Sequence, residues 1–278
     1  LVINDGSGQE ALDVVHSIRD PRIRVVMLPV NTGIPTGRNI GIRMARGQFI
    51  AAMDSDDFAT PDRLAKQCAF LRANPDVHFL GSRAVRISQS EQVTLDYRTD
   101  DGFIKAHLVS LIAAGMLHPA SMMRADFLRM HDLQYPMERT DHDHALWIEA
   151  MIRGAKFANL PDVLLHYYRH ETNATAEGGA DYPAHERRKT PLRARVLGLF
   201  YPQLTHDEAN AIARWMEVSP NKSVVDVCAA VTAINKALTY RISHFGESKE
   251  EVAKILTPYL ARAAQALARG GGPRPAAA

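Results

Sequence analysis

The stretch "AAMDSDDFATPDRL", residues 51–64, sets Asp54, Asp56 and Asp57 on one short turn directly after a small apolar run. Three carboxylates that close repel unless a cation sits among them. Oxygen ligands of this kind suit a hard divalent ion such as Mg²⁺ or Mn²⁺, which keeps water and phosphate oxygens as its other ligands. A solvated, helix-capping turn uses the same residue types, so the triad alone leaves both readings open. A second acidic group lies far downstream in "DHDHALW", residues 141–147, which carries Asp143. Consecutive residues of a helix point about 100° apart, so those four side chains do not converge on one zinc ion.

The acidic turn needs a strand to lead into it and a helix to lead out. "FIAAM" (49–53) is short, apolar and uninterrupted, and reads as that strand. The exit helix is expected from Thr60 as N-cap with Pro61 at its first position, its inner face being Leu64, Cys68 and Leu71. Upstream, "LVI" (1–3) and "IRVVML" (23–28) read as strands, and 9–18 and "IPTGRNIGIRMARG" as helices. "FLGSRAVRI" (79–87) adds another strand. This alternation predicts an α/β fold, a mostly parallel, Rossmann-like sheet flanked by helices, with continuous apolar strands buried on both faces. Ligands of such sheets sit at the carboxyl ends of the strands, where Asp54 falls. Further on, 103–117 reads as a helix, "ASMMR" (120–124) as a strand, 141–154 as a helix stopped by a glycine, and 156–170 as one or two short strands. Residues 173–190 read as a loop, 191–268 as a helical extension and 269–278 as a disordered tail.

Composition excludes several classes. The 278 residues are 46% hydrophobic and 23% charged with a net charge of +2, which is too balanced for a nucleic-acid binder. Cys68 and Cys228 form no CxxC pair and read as buried thiols in a reduced compartment. The chain opens on Leu1, inside a strand, with no signal peptide. The uncharged stretch 106–123 reaches membrane-spanning length but is interrupted by Gly115, His118 and Pro119. The pattern "NAT" at 173–175 fits a glycosylation acceptor that a cytoplasmic protein leaves bare.

"NDGSG" near the start, "NTGIPTGRNIG" (31–41), "ARGQFIAAMDSDD" (45–57), "TPDRL" (60–64), "HPASMMR" (118–124), "DHDHALW" (141–147) and "YYRH" (167–170) occur in a fixed order. Together they closely resemble the inverting nucleotide-sugar glycosyltransferases of family 2, which have the GT-A fold, over residues 1–172. The resemblance implies a nucleotide-sugar-binding half over 1–90 and an acceptor half over 91–172. It implies a donor site of Asp5, Ser7, Arg38, Asn39, Asp54 and Ser55, with uracil the usual base read by Asp5. Asp56, with Asp54, would hold Mn²⁺ or Mg²⁺, and Asp143 would be the catalytic base. The implied reaction moves a sugar from a nucleoside diphosphate, a UDP-sugar above all, to a glycan or lipid-linked acceptor hydroxyl in polysaccharide or cell-envelope biosynthesis. His170 reads either as a group near the metal or diphosphate or as a buried structural histidine. The family's opening strand, central in its sheet, is absent here. That favours an alternative reading, a catalytically impaired GT-A-like binding or accessory module. The expected setting is the cytoplasm, at the inner face of the membrane. The C-terminal helices are read as plain core, a cover for the acceptor site, a dimer surface or a peripheral membrane contact.

Overall fold

The computed structural model describes residues 1–111, 115–137, 141–169, 182–217 and 223–268. His170 and the 173–175 pattern lie outside these, as does the expected tail. The chain folds as β1 (Val2–Asp5), α1 (Gln9–Ser17), β2 (Val25–Leu28), α2 (Ile34–Met44), β3 (Phe49–Ala51) and β4 (Phe58–Ala59). There follow α3 (Arg63–Ala73), β5 (Phe79–Ile87), β6 (Gln92–Leu95) and α4 (Asp101–His107). Then come β7 (Met122–Arg124), α5 (Ala125–Met130), α6 (His142–Ile152) and β8 (Phe157–Tyr168). Four helices close the chain: α7 (Tyr182–Phe200), α8 (His206–Met216), α9 (Val224–Thr239) and α10 (Lys249–Ala268). No described helix is long and apolar enough to cross a membrane.

The α/β class holds, but the sheet is not the mostly parallel one that the strand–helix alternation predicts. β1 and β2 pair in parallel as a two-stranded sheet of their own. The main sheet runs β3-β7-β5-β8-β4, with β6 on β5. Within it only β5 and β8 are parallel, while β3–β7, β5–β7, β4–β8 and β5–β6 are antiparallel. The reversed strands are β4, which follows β3 after a short turn, β6, which follows β5 after a short turn, and β7, which is inserted between β3 and β5. β1, β2 and β3 are also only half-buried, and Met27 is 50% exposed. Continuous apolar runs predict full burial, but these strands lack covering layers on both sides.

Several boundaries move for local reasons. α3 begins at Arg63 rather than Thr60, because Thr60 turns its hydroxyl onto the Asp62 carboxylate (2.7 Å) and leaves the helix start uncapped. α4 stops at His107, well short of 117, and Leu111 has a positive φ of 51° that no helix continues through. Residues 157–168 form one long strand, with two register shifts opposite Ser82–Ala84 that absorb Pro161 and Asp162 and then Leu164. α7 starts at Tyr182, inside the expected loop, and carries Pro191 in its interior. At this interior site the proline costs one backbone bond and is still accommodated.

The largest core cluster joins both halves of the molecule. Phe79, Phe157 and Trp147 belong to the same buried cluster as Phe200, Ile212, Ile234 and Leu256. Capping boxes at Thr205–Glu208 and Ser223–Asp226 fix the starts of α8 and α9. The C-terminal helices therefore brace the α/β layer through a shared core.

Candidate active site

The acidic turn leaves β3 and is held from below by a residue that the sequence reading treats only as part of a helix start. Arg63 is 1% exposed and its guanidinium donates to the Ala52 carbonyl (2.7 Å), the Ser121 carbonyl (3.3 Å) and Gln67 Oε1 (3.1 Å). Gln67, also buried, donates to the Ala120 carbonyl at 2.8 Å. One arginine and one glutamine thus clamp the ends of β3 and β7 together. Burial lowers the Arg63 pKa to about 10, with the charge of Asp57 opposing, so it remains a cation at neutral pH.

The three aspartates of the turn are not equivalent. Asp54 pairs with Arg38 Nη2 at 2.9 Å. Ser55 and Asp56 are exposed at the tip. Asp57 is buried, and its Oδ1 accepts the Tyr168 backbone N–H at 3.0 Å, tying the turn to the end of β8. Burial, with a smaller push from Asp54 and Asp56, raises the Asp57 carboxyl to about 6.

Arg38 connects the two acidic segments that the sequence separates by about ninety residues. Its Nη1 lies 2.5 Å from His142 Nε2 while Nη2 holds Asp54. The guanidinium also lies over the Tyr135 ring at 5.6 Å. Burial and the Arg38 charge lower the His142 pKa, so the imidazole is neutral at neutral pH and accepts from Arg38. His142 Nδ1 is buried with no hydrogen-bond partner among the described residues. The next residue is Asp143, in the first turn of α6, where the helix dipole favours an anion. Burial opposes its ionisation, but His144, which both charges against it and hydrogen-bonds it, outweighs this together with His118 and His142. The carboxyl is held well below the usual range. The His144 backbone N–H donates to Asp143 Oδ1 at 2.9 Å.

Two expected donor contacts have other duties. Asn39 is buried, donates to the Tyr135 carbonyl (2.8 Å) and accepts the Tyr135 N–H (2.7 Å). Its amide clasps the 132–137 segment through both of its ends. Asp5 accepts from the Thr32 N–H and hydroxyl (2.7 Å each) and from the Gly33 N–H (2.9 Å). These bonds hold its carboxyl below its ordinary value against the opposing effect of desolvation, and they fix the loop that opens α2. Gly6 follows with φ 81°, and a Cβ there would lie 2.6 Å from Asn31 N. Ser7, on the same turn, donates its N–H to Asn4 Oδ1 at 2.7 Å.

His118 and Tyr135, to which the sequence reading gives no role, form the floor beneath Arg38. His118 Nε2 lies 2.8 Å from the Tyr135 hydroxyl, both groups being buried. Burial keeps the His118 imidazole neutral and pushes the Tyr135 phenol upward. "HPASMMR" signals this histidine in sequence, but nothing local signals its partner.

No group of three or more His, Cys, Asp or Glu poised around one metal ion occurs among the described residues. The acidic turn offers the carboxylate oxygens of Asp54 and Asp56, while Asp57 is buried and turned onto the Tyr168 N–H. That set fits a hard cation that draws most of its ligands from a diphosphate and water.

The combination of this sheet, the acidic turn at a strand end and the C-terminal helices is the GT-A architecture with a helical extension. The fold is shared with the solved TarS 1–349 of Staphylococcus aureus in complex with UDP-GlcNAc, with a TM-score of 0.61 at 15% identity, covering 98% of this chain and 83% of that one. It is also shared with the mannosyltransferase PcManGT of Pyrobaculum calidifontis in complex with GDP-Man and Mn²⁺, at TM-score 0.50 and 15% identity over 95% and 76% of the chains. Residues 1–131 match the family described as Glycosyl transferase family 2. Asp143 lies beyond the matched segment. A glycosyltransferase of Haemophilus influenzae is 31% identical over 201 residues, 64% of this chain and 61% of that protein. The succinoglycan biosynthesis protein ExoO of Rhizobium meliloti is 30% identical over 181 residues, 62% and 52% of the two. The chain thus spans about half to three fifths of the length of these curated relatives.

Proposed function

We propose that this protein transfers a sugar, with inversion, from a nucleoside diphosphate sugar to a hydroxyl of a glycan or lipid-linked acceptor in cell-envelope or polysaccharide synthesis. The observation that carries this reading is the Arg38 bridge, which sets Asp54 of the acidic turn beside His142–Asp143 of α6. Asp143, an anion across the neutral range, accepts the proton of the attacking hydroxyl, general-base work of about 10²–10⁴-fold. Its Oδ1 is fixed by the His144 N–H, so the carboxylate is aimed before substrate arrives. Asp5, with the Thr32–Gly33 loop it organises, is the nucleoside end of the site, with Ser7 and Ser55 lining the path. Asp56, seconded by Asp54, would hold Mn²⁺ or Mg²⁺, which when bound offsets charge on the departing diphosphate. UDP-sugars are the favoured donors, on the likeness to a fold neighbour solved with UDP-GlcNAc. A lipid-linked acceptor is supported by a relative from Escherichia coli, 23% identical, named as a glucosyltransferase acting on a GlcNAc-diphosphoundecaprenol. With such an acceptor the enzyme would work at a membrane surface, the inner face being the expected one.

A second reading, a nucleotide-sugar-binding module without turnover, is favoured by one observation. Among the described residues, the β1–β2 pair that carries Asp5 shares no hydrogen-bonded ladder with the sheet that carries Asp54. Incubation of the purified chain with UDP-sugars and Mn²⁺, following release of UDP with and without lipid-linked acceptor, separates the two. The transferase reading expects UDP release that Asp143→Asn cuts by about 10²-fold or more and that Asp56→Ala abolishes. Donor binding with no release by the unaltered chain establishes the second reading instead.

A further inference from the structure

A large apolar side chain left in water forgoes the gain of burial, so an exposed aromatic cluster beside a reaction site needs a reason. Among the exposed large hydrophobic residues described, only Phe58 (63% exposed) and Tyr168 (37%) are aromatic, and they touch each other. Their rings meet edge to face at 5.5 Å. They come from opposite ends of the sequence pattern. Phe58 follows the acidic turn immediately, and Tyr168 is the last residue of β8. In the antiparallel β4–β8 ladder Phe58 stands opposite His166, so Phe58, His166 and Tyr168 share one face of the sheet. His166 is exposed there as well.

The position of this face follows from strand direction. β3 and β5 both run antiparallel to β7, and β8 is parallel to β5, so β3, β5 and β8 end on the same side. Asp54 lies just past the end of β3, and Tyr168 closes β8, both at the ligand side of the sheet. Asp57 joins them rigidly by accepting the Tyr168 N–H. Asp5 and the Thr32–Gly33 loop lie at the other flank, at the start of α2. A donor with its base at Asp5 and its diphosphate at Asp56 therefore points its sugar away from α2, toward the β8–β4 flank.

We propose that Phe58 and Tyr168 form a stacking platform for a sugar ring of the acceptor, building on the transferase reading above. The C–H face of a pyranose is weakly positive and apolar, and the electron-rich face of an aromatic ring complements it. The ring hydroxyls around that face remain in water or reach His166. The platform sets the acceptor's position relative to the donor sugar and so contributes to acceptor choice.

Saturation-transfer NMR on the full chain, with methyl β-D-glucopyranoside and methyl β-D-galactopyranoside as probes at about 10 mM, reads this contact without requiring turnover. The unaltered protein should transfer saturation to the ring C–H protons of at least one glycoside. Phe58→Leu, which keeps apolar bulk and loses the ring, and Tyr168→Ala should each weaken the signal by about threefold or more. Phe58→Trp should keep it, and Leu64→Ala, at an exposed apolar site on α3, should leave it unchanged. No saturation transfer in the unaltered protein, or equal signals in Phe58→Leu, overturns the platform. So does co-sedimentation with phosphatidylglycerol vesicles that Phe58→Leu abolishes, which assigns the pair to a lipid surface. A glycoside signal that depends on Phe58 in a chain that never releases UDP supports the platform while the transferase reading fails.

Discussion

Asp57 shows how much three adjacent aspartates can differ. Its raised carboxyl pKa of about 6 means that the folded chain binds a proton more tightly there than the unfolded chain does. The native state thus holds the extra proton between roughly pH 4 and 6, and the stability it lends falls as pH rises through that window. Above pH 6 the penalty is constant, about 1 kcal/mol after solvent screening. Asp57→Asn keeps an oxygen for the Tyr168 N–H and cannot ionise. Urea melts without divalent ions should find the variant more stable than the unaltered chain by about that amount at pH 7, and level with it near pH 4. Arg38 gives the companion test in function. Arg38→Lys keeps the charge but cannot reach Asp54 and His142 at once, so kcat/KM for sugar transfer should fall by about 10²-fold with the melting temperature little changed. In sequence, Asp54, Asp56, Arg38 and Asp143 are legible because each sits in a short ordered motif. Asp57 and Tyr135 are not, because their partners lie 111 and 96 residues away and no local pattern encodes such a distance.

At the scale of elements, strand β5 and helix α6 form where the hydrophobic runs and the closing glycine put them, because local spacing and packing agree there. The start of α3 is different. Thr60 and Pro61 have the chemistry of a helix start, yet the helix waits until Arg63, whose side chain is drawn inward by the carbonyls of Ala52 and Ser121. That tertiary demand outranks the cap. Arg63→Met removes the buried charge together with its hydrogen bonds but leaves the Ala52 carbonyl and Gln67 Oε1 short of donors, while the Ser121 carbonyl keeps the Ala52 N–H. The expected loss is about 3 kcal/mol in chemical denaturation. Arg63→Lys should recover less than half of this, since an ammonium cannot span three acceptors with one fixed fork. Because the clamp sets the end of β3, both variants should also lose more sugar-transfer rate than donor affinity when assayed well below their melting points.

Across the whole molecule, the distribution of burial divides the chain unevenly. The main sheet and α6 through α10 share one large core, whereas α1 buries only Leu12 and leaves Val14 and Ile18 more than half exposed. The sequence cannot reveal this, since apolar runs such as "VVML" look the same whether or not a second layer covers them. What ties β1–β2 to the rest is α2, through its packing on β1, and at the ligand end the Asp5–Thr32–Gly33 and Arg38–Asp54 contacts. Local opening of such a thinly covered unit needs less free energy than opening the core. Amides of β2 should therefore exchange with solvent at opening energies several kcal/mol below those of β5, read by hydrogen exchange and mass spectrometry at neutral pH. A UDP-sugar with Mn²⁺ that spans Asp5 and Asp56 would tie the two units together, and protection should then rise in segments 5–7 and 31–33 more than in β5. Equal exchange in β2 and β5 without ligand would show that the two-stranded unit is as firmly seated as the main sheet. Unchanged exchange at saturating donor would mean that the nucleotide does not bridge Asp5 to the acidic turn.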